Sequence, residues 1–379
     1  MTLQRPSFKT TNPEGRVDLI RIQTGALVII AFAVVLFLLV QARFLLISLA
    51  SAIILFSLTS SVINFIARQR FGPFRIPSFV ASILALALIT TGLLTLSGFL
   101  LSQINTVLFT ALDYTARLPE AVAALFAWMG EDTEASVLNA MQSVNLATYV
   151  RTAASGAGDV TQAAVLVILF VGFLFAERIW FATKLTNFVG DPAQAERIGK
   201  IITSIIQRVN YYLLVKTAVS AITGAMIFVL ARFFGLELAV AVGVMTFALN
   251  YIPNVGSIIA TGLLALVAHV EYGDPTTTTI IFVVAGAIQF TNGSVIDPML
   301  MGRALRLSSF GIIISLAFWG AVWGIPGMFL SVPIMVMLLV VCSHVPALRP
   351  IAILLSREGL PESEKMLEAT KERDVFGQS

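Results

Sequence analysis

An uncharged stretch in the C-terminal half is interrupted by a proline. Two apolar runs, 238–249 and 258–270, contain no formal charge, and Pro253 lies between them. Proline has no backbone N–H and clashes with the preceding turn, so a helix that reaches Pro253 must kink or end. In hydrocarbon an unpaired backbone group is costly, so such a break is stable only beside protein or a water-lined cavity. The stretch therefore predicts a membrane protein with a covered polar break.

A second interruption lies at 323–327, between the apolar runs 310–322 and 328–342. Paired interruptions of this kind are typical of transporters that bind substrate at broken helices. Two interpretations remain open: re-entrant hairpins, with the second turning near Pro326, or full spans with a kink. In the hairpin interpretation each arm of the first segment has about 14 residues, or ~21 Å of helix, which is short of the ~30 Å hydrocarbon thickness.

The composition places the whole chain in a membrane. Of 379 residues, 58% are hydrophobic and 12% are charged, whereas a soluble protein has roughly 25% charged residues. The basic residues cluster near the ends of apolar runs, so they indicate topology and give no reason to expect nucleic acid as a partner. The only cysteine, Cys342, excludes an intrachain disulfide and a cysteine-based metal site. We predict no cofactor and no metal.

The fold predicted from these runs is an all-α polytopic membrane protein. It has about six full spans plus two Pro/Gly-broken re-entrant hairpins, or eight hydrophobic segments, and a small helical extracytoplasmic element. The predicted parts are a basic tail with spans 1–3 (1–101), the extracytoplasmic helical segment (102–159), span 4 with a cytoplasmic amphipathic helix (160–210), the transport core with both hairpins (211–342) and a cytoplasmic tail (343–379).

Polar and helix-breaking residues near the two interruptions form the candidate site. A half-helix N-terminus there would present free N–H groups, which suit anionic or hydroxyl-rich ligands. The alternative is that these side chains only cap broken helices or join helices. The candidate substrate-binding residues are Asn250, Asn254, Ser257, Gln289, Asn292 and Asp297. The hairpin-shaping residues are Pro253, Gly256, Gly324, Pro326 and Gly327.

Three ionisable residues lie within or beside the apolar segments. Asp297 is the only carboxylate between Asp274 and Glu358, and a carboxylate at membrane depth indicates function. Alternatively, Asp297 lies at the cytoplasmic interface and pairs with Arg303 or Arg306. For Lys216 the sequence favours a snorkelling side chain at the interface. For His269 it favours an interface position over a proton relay.

The C-terminal half resembles the autoinducer-2 exporter family of bacterial membrane proteins. The stretch 249–257, LNYIPNVGS, is similar to the family's Asn-aromatic-Ile-Pro-x-x-Gly segment, and 297–308 followed by 314–333 is similar to its second signature. The family often has Glu at the position of Asp297. The resemblance implies efflux of small polar solutes, with autoinducer-2 as the named substrate, and sodium/proton antiport in some members. It also implies a homo-oligomer, a pentamer with one pathway per protomer.

The sequence as a whole predicts a transporter of the bacterial inner membrane with both termini in the cytoplasm. No P-loop, HExxH motif or intramembrane catalytic pair is present in the sequence, so we predict that the chain is not an enzyme. The expected function is export of a small polar solute by alternating access, with membrane lipid as surroundings and a proton or sodium ion as coupling ion. The alternatives are a cation/proton antiporter and a non-transporting membrane scaffold.

Overall fold

The chain is an all-α polytopic membrane protein in the computed structural model. Its contacts form two compact units, Met1–Leu46 and Ile47–Ser379. Described are residues 13–68, 83–84, 86–95, 98–99, 102, 118–120, 122–123, 126, 130–143, 148, 157–301, 307–357 and 359. Among them, six helices are long and apolar enough to cross a membrane: Ile22–Gln41, Arg43–Ser60, Pro192–Phe233, Val255–Tyr272, Pro275–Ile296 and Ser309–His344.

The helices are named here in chain order. They are α1 (Pro13–Gln41), α2 (Arg43–Arg68), α3 (Glu131–Ser143), α4 (Ala157–Glu177), α5 (Phe181–Val189), α6 (Pro192–Phe233), α7 (Ala239–Leu249), α8 (Val255–Tyr272), α9 (Pro275–Thr291), α10 (Asp297–Met301), α11 (Ser309–His344) and α12 (Arg349–Leu355). A π-helical turn (Asn292–Ile296) joins α9 to α10, and a 3₁₀ turn (Pro346–Leu348) precedes α12. A further short apolar helix covers Leu86–Thr95. This helix lies within the third predicted span, the rest of which is described only in part, and most of the predicted extracytoplasmic segment (102–159) lies outside the described residues.

Helix α6 packs against α5, α7, α9, α10 and α11. It has 42 residues, which corresponds to ~63 Å. Its N-terminus is capped: the Asp191 carboxylate accepts a hydrogen bond from Ala193 N at 2.9 Å, and Pro192 occupies the first turn. The predicted amphipathic helix and the fifth span are therefore one continuous helix.

The first interrupted segment folds back on itself, and we call α7 and α8 together hairpin 1. Its turn, 250–254, contains Asn254 at φ 59°. At the open end, Glu237 N donates to both carboxylate oxygens of Glu271 at 3.2 Å, although a straight helix would separate these residues by ~51 Å. The prediction of two equal arms is wrong: α7 has 11 residues and α8 has 18, because a turn at 234–238 delays the start of α7.

The second interrupted segment also folds back, and we call α11 hairpin 2. Ser315 Oγ donates to the Ser331 carbonyl at 2.8 Å, whereas a straight helix would place them ~24 Å apart. The chain turns at Gly324, with φ 66° and ψ −144°, and not at Pro326. Glycine tolerates this positive φ. Pro326 falls in the first turn of the second arm, where its missing N–H has no cost.

The two hairpins pack against two separate places on α6, one near its middle and one near its C-terminal end. Leu238 and Val270 of hairpin 1 share a core cluster with Ala231. Leu339 and Cys342 of hairpin 2 share another with Val209. These two places on α6 are 22 residues, or ~33 Å, apart. The hairpins therefore approach each other, and their tips meet beside the middle of α6.

Direct contact joins the two tips. The Tyr251 ring at the tip of hairpin 1 stacks on the Phe329 ring of hairpin 2, with centroids 5.5 Å apart and an interplanar angle of 21°. The Tyr251 hydroxyl also lies 2.7 Å from Thr217 Oγ1 of α6. One tyrosine thus connects both hairpins to the long helix.

Candidate functional site

A buried chain of polar side chains runs from α6 through the tip of hairpin 1 to the π-helical turn. Asn250 Nδ2 donates to Ser220 Oγ at 3.2 Å, and Asn292 Nδ2 donates to Asn250 Oδ1 at 3.4 Å. All three residues are buried. Burying amides is costly unless they are hydrogen-bonded, so the three elements hold one another in register here. The structure therefore brings the predicted residues Asn250 and Asn292 into contact.

Glycines let hairpin 1 approach α6 closely enough for that chain to form. A Cβ atom on Gly224 would lie 2.8 Å from the Gly243 carbonyl oxygen, and one on Gly243 would lie 2.8 Å from Phe228 Cβ. Small residues at such crossings allow helix backbones to pack tightly in membrane proteins. The crossing lies one turn from Ser220, so it fixes the distance between α6 and Asn250.

Next to the polar chain lies a buried ion pair. Lys216 Nζ lies 2.7 Å from Asp297 Oδ2, and the exposed fractions of the two side chains are 4% and 21%. The interpretation of Lys216 as a snorkelling interface residue is therefore wrong: its ammonium reaches a carboxylate inside the protein and does not extend towards water. Asp297 thus has Lys216 as a partner, whereas the predicted partners Arg303 and Arg306 lie outside the described residues.

The π-helical turn places Asn292 and Asp297 on the same side of their segment. Asp297 N donates to the Asn292 carbonyl, five residues back. Single π-helical turns within α-helices are frequent at functional sites. In a regular α-helix, the side chains at positions 292 and 297 would point in more different directions around the helix axis. The turn thus supplies the carboxylate to Lys216 and the amide to Asn250 from one short stretch.

Several buried polar atoms in this region have no hydrogen-bond partner among the described residues. Both amide atoms of Gln289, which is 6% exposed, are unpaired. So are Asp297 Oδ1 and the hydroxyls of Thr246 and Tyr212. Unpaired buried polar atoms are rare and require an explanation. A polar ligand that bonded to them would provide one. We call Lys216, Ser220, Asn250, Gln289, Asn292 and Asp297 the tip cluster.

The remaining predicted site residues shape the turns. Ser257 Oγ donates to the Asn254 carbonyl at 2.8 Å, within the turn of hairpin 1. Pro253 is in the same turn, and Gly324 and Pro326 are in the turn of hairpin 2. Gly256 and Gly327 each lie against the opposite arm of their hairpin. A Cβ atom on Gly256 would lie 1.8 Å from the Leu249 carbonyl oxygen, and one on Gly327 would lie 2.0 Å from the Trp319 carbonyl oxygen.

Tyr212 and Ser220 were not predicted as site residues, and Lys216 was assigned to the membrane interface, although the sequence contains a signal for all three. Tyr212, Lys216 and Ser220 recur every four residues on α6, which places them on one helix face. Such a polar stripe in an otherwise uncharged span indicates a buried polar contact, because an outward face would meet lipid. Thr217 and Tyr251 gave no comparable signal, since their contact depends on how the tips meet.

An apolar groove of about 380 Å³ lies between α6 and α9 and reaches the tip cluster at Asn292. Val219 and Ile222 line one wall, and Val283 and Ala287 line the other. Neither Pro253 nor Pro326 borders this groove. Within the described part of the chain, no group of three His, Cys, Asp or Glu side chains is placed to hold a metal ion.

Residues 27–347 match the family model described as "AI-2E family transporter". The chain belongs to the AI-2E family of transporters. The resemblance seen in 249–257 and 297–333 is thereby confirmed and extends over most of the chain. The match also agrees with the multi-pass architecture, and membership in a transporter family favours a role other than catalysis.

Curated relatives in the family carry transport names. The chain is 28% identical over 291 residues to the "AI-2 transport protein TqsA" of Escherichia coli K12, covering 74% of this chain and 82% of that one. It is 30% identical over 196 residues to a "Putative transport protein" of Borreliella burgdorferi, covering 52% and 54%. A protein of the same description from Haemophilus influenzae is 34% identical over 202 residues, covering 52% and 57%. The chain therefore matches little more than half the length of the last two.

Proposed function

We propose that this transporter exports small polar solutes such as autoinducer-2 by alternating access at the hairpin tips. The observation that carries the proposal is the tip cluster, a buried polar site where two oppositely directed hairpins meet. Its unpaired groups are the Gln289 amide and Asp297 Oδ1. The amide nitrogen can donate a hydrogen bond to a hydroxyl group of the solute, and the two oxygens can accept hydrogen bonds from such groups. In this proposal the hairpins are re-entrant, the protein lies in the bacterial inner membrane, and both termini face the cytoplasm.

Autoinducer-2 suits the chemistry of this site. It is a small furanone hydrate rich in hydroxyl groups, or its borate diester. The related E. coli protein is named for its transport. The roles proposed for Asn250, Gln289, Asn292 and Asp297 are to bind the solute, whereas Asn254 and Ser257 shape the turn and meet the solute as it enters. The active form in this proposal is a homo-oligomer with one pathway per protomer.

Cation/proton antiport is the second candidate function. The Lys216–Asp297 pair favours it, because a sodium ion or a proton could compete with the ammonium for the carboxylate. In an antiporter Asp297→Asn abolishes transport, whereas in a polar-solute exporter it weakens transport. The variant therefore separates the two functions when it is assayed with both sodium and autoinducer-2.

The proposal is tested by uptake into inside-out membrane vesicles that contain the protein. The panel comprises autoinducer-2, other small polyols and sodium, each with and without a proton or sodium gradient. We expect uptake of autoinducer-2 above that of vesicles without the protein. Uptake of sodium alone would identify the antiporter. No flux of any solute would identify a scaffold and overturn the proposal.

A further inference from the structure

We propose that Lys216 carries the proton that drives transport, because solute and Lys216 compete for the same carboxylate. The inference rests on the proposed function and adds its coupling ion and the residue that holds it. Lys216 Nζ lies 2.7 Å from Asp297 Oδ2. The second oxygen of the same carboxylate, Oδ1, is buried and has no partner among the described residues.

Among the described residues, the ammonium of Lys216 has one counter-charge, Asp297. Between residues 209 and 231 of α6, Lys216 is the only charged residue. Hairpin 1 from 238 to 270, the segment 275–296 and hairpin 2 from 309 to 343 contain no other charge. In the part of the chain that the structure describes, the other titratable groups beside the pair are tyrosines: Tyr212 of α6, Tyr251 at the tip of hairpin 1, and Tyr211 of α6, whose hydroxyl donates to the Leu300 carbonyl. A neutral phenol cannot replace the carboxylate.

A hydroxyl-rich solute can take Asp297 away from Lys216. Its hydroxyl groups would donate to both oxygens of the carboxylate, and Gln289 and Asn292 stand about two turns and one turn before Asp297 on the same segment. A buried ammonium without a counter-charge is strongly unfavourable, so a solute that occupied the carboxylate would favour the neutral amine at Lys216.

The exchange balances in atoms and charge. The paired state has Lys216 as NH₃⁺ and Asp297 as carboxylate. Binding of a neutral solute gives Lys216 as NH₂, the carboxylate hydrogen-bonded to the solute, and one proton released to the water on the open side. When the site opens to the other side, the solute leaves, Lys216 takes up a proton there, and the ion pair forms again. One solute thus moves outward for each proton that moves inward.

Two substitutions at Lys216 give opposite results under this mechanism. Lys216→Arg keeps the positive charge and the ion pair, but a guanidinium does not lose its proton in proteins, so Asp297 stays occupied and transport stops in a folded protein. Lys216→Met leaves Asp297 open to solute, so exchange of solute continues without any response to protons. If Lys216 had only a structural role, arginine would be the milder change.

The test uses the full chain in proteoliposomes with autoinducer-2 in borate-free buffer, where the solute is neutral. Counterflow, the exchange of labelled for unlabelled solute, reports transport itself. Accumulation in vesicles with an acidic lumen, with the membrane potential clamped by potassium and valinomycin, reports coupling. Exchange of one proton per solute predicts about tenfold accumulation of solute per pH unit, because a difference of one pH unit and a tenfold concentration ratio both correspond to about 1.4 kcal/mol. Controls are Lys200→Arg and Lys200→Met, since the Lys200–Glu196 pair is exposed on the same helix.

We expect the wild type and both Lys200 variants to show counterflow and accumulation. Lys216→Met should show counterflow alone, and Lys216→Arg should show neither while eluting as a folded protein. Wild-type counterflow without accumulation, or accumulation in Lys216→Arg, would overturn proton coupling and leave solute export intact. Absence of wild-type counterflow would instead overturn the export of autoinducer-2 and this inference with it.

Discussion

At the scale of single residues, the least favourable group to bury is the ammonium of Lys216. Its side chain is 4% exposed, against 21% for Asp297. Removing one partner of a buried ion pair costs about 3–5 kcal/mol, because the other charge remains without compensation, whereas replacing both partners with neutral groups is often nearly neutral. The two halves of this pair are therefore not equivalent, since the carboxylate retains more access to water.

This asymmetry predicts the order of stability of three variants. Asp297→Asn should lower the free energy of unfolding by about 3 kcal/mol, because it strands the more deeply buried charge. Lys216→Met should cost less, and the double variant should lie within about 1 kcal/mol of the wild type. Thermal unfolding of the detergent-purified proteins measures all three. Additive losses in the double variant would mean that the two side chains do not interact.

The sequence could predict part of this residue-scale picture. Asn250, Gln289, Asn292 and Asp297 stood out as polar residues in apolar segments, and the structure buries the three amide side chains among them. The partner of Asp297 could not be predicted from local pattern, because Lys216 is 81 residues away along the chain. Arg303 and Arg306 are the nearest basic residues to Asp297 in the sequence, whereas the contact with Lys216 depends on the packing of α6 against the π-helical turn.

At the scale of elements, each hairpin turn combines a proline with a glycine. The proline prevents one straight helix, and the glycine allows the returning arm to touch the backbone of the first. Gly256 faces the Leu249 carbonyl and Gly327 faces the Trp319 carbonyl, both at distances that no Cβ atom could occupy. The sequence therefore contains the fold-back as two short motifs, 252–256 and 324–327.

Alanine substitution tests the role of these glycines. Gly256→Ala and Gly327→Ala should each cost about 3 kcal/mol or more, since the new Cβ would collide with backbone that cannot move aside. Gly262→Ala is the matched control in α8, because nothing lies within 4 Å of a Cβ at that position; it should be neutral or stabilising by up to about 1 kcal/mol. Equal effects of Gly256→Ala and Gly262→Ala on unfolding would contradict tight contact at the tip.

Fold class and the positions of both interruptions were predictable, whereas folding back was one of two open interpretations and the geometry of the turns was not predictable. Apolar length and the position of prolines indicate an interruption without locating the residue that turns. In hairpin 2 the chain turns at Gly324, where the backbone has a positive φ that glycine tolerates. Pro326 lies in the first turn of the second arm. In hairpin 1 the arms differ in length because of the turn at 234–238, which no hydrophobic pattern marks.

At the scale of the whole molecule, α6 sets the distance between the two hairpin bases. Val209 and Ala231 mark those bases on α6, ~33 Å apart, which is close to the ~30 Å hydrocarbon thickness of a bilayer. The bases would then lie near opposite membrane surfaces, and the tips and the tip cluster would lie near its centre. Oppositely directed broken segments with a midplane site are the arrangement expected of alternating access.

This orientation predicts where single cysteines react. In a Cys342→Ala background, Tyr272→Cys at the base of hairpin 1 should be labelled by a membrane-impermeant thiol reagent from outside intact cells. Phe188→Cys, at an exposed position in α5, should be labelled only after the membrane is opened. Labelling of both positions from the same side would contradict the proposed topology.

The central claim is that solute passes where the two hairpin tips meet, and cross-linking the tips tests it most directly. In the Cys342→Ala background, Tyr251→Cys and Phe329→Cys together replace the two stacked rings with thiols that a short cleavable reagent can join. We expect autoinducer-2 counterflow to stop when the tips are joined and to return on cleavage, while either single variant is insensitive to the reagent. Complete cross-linking with unchanged counterflow would contradict the account.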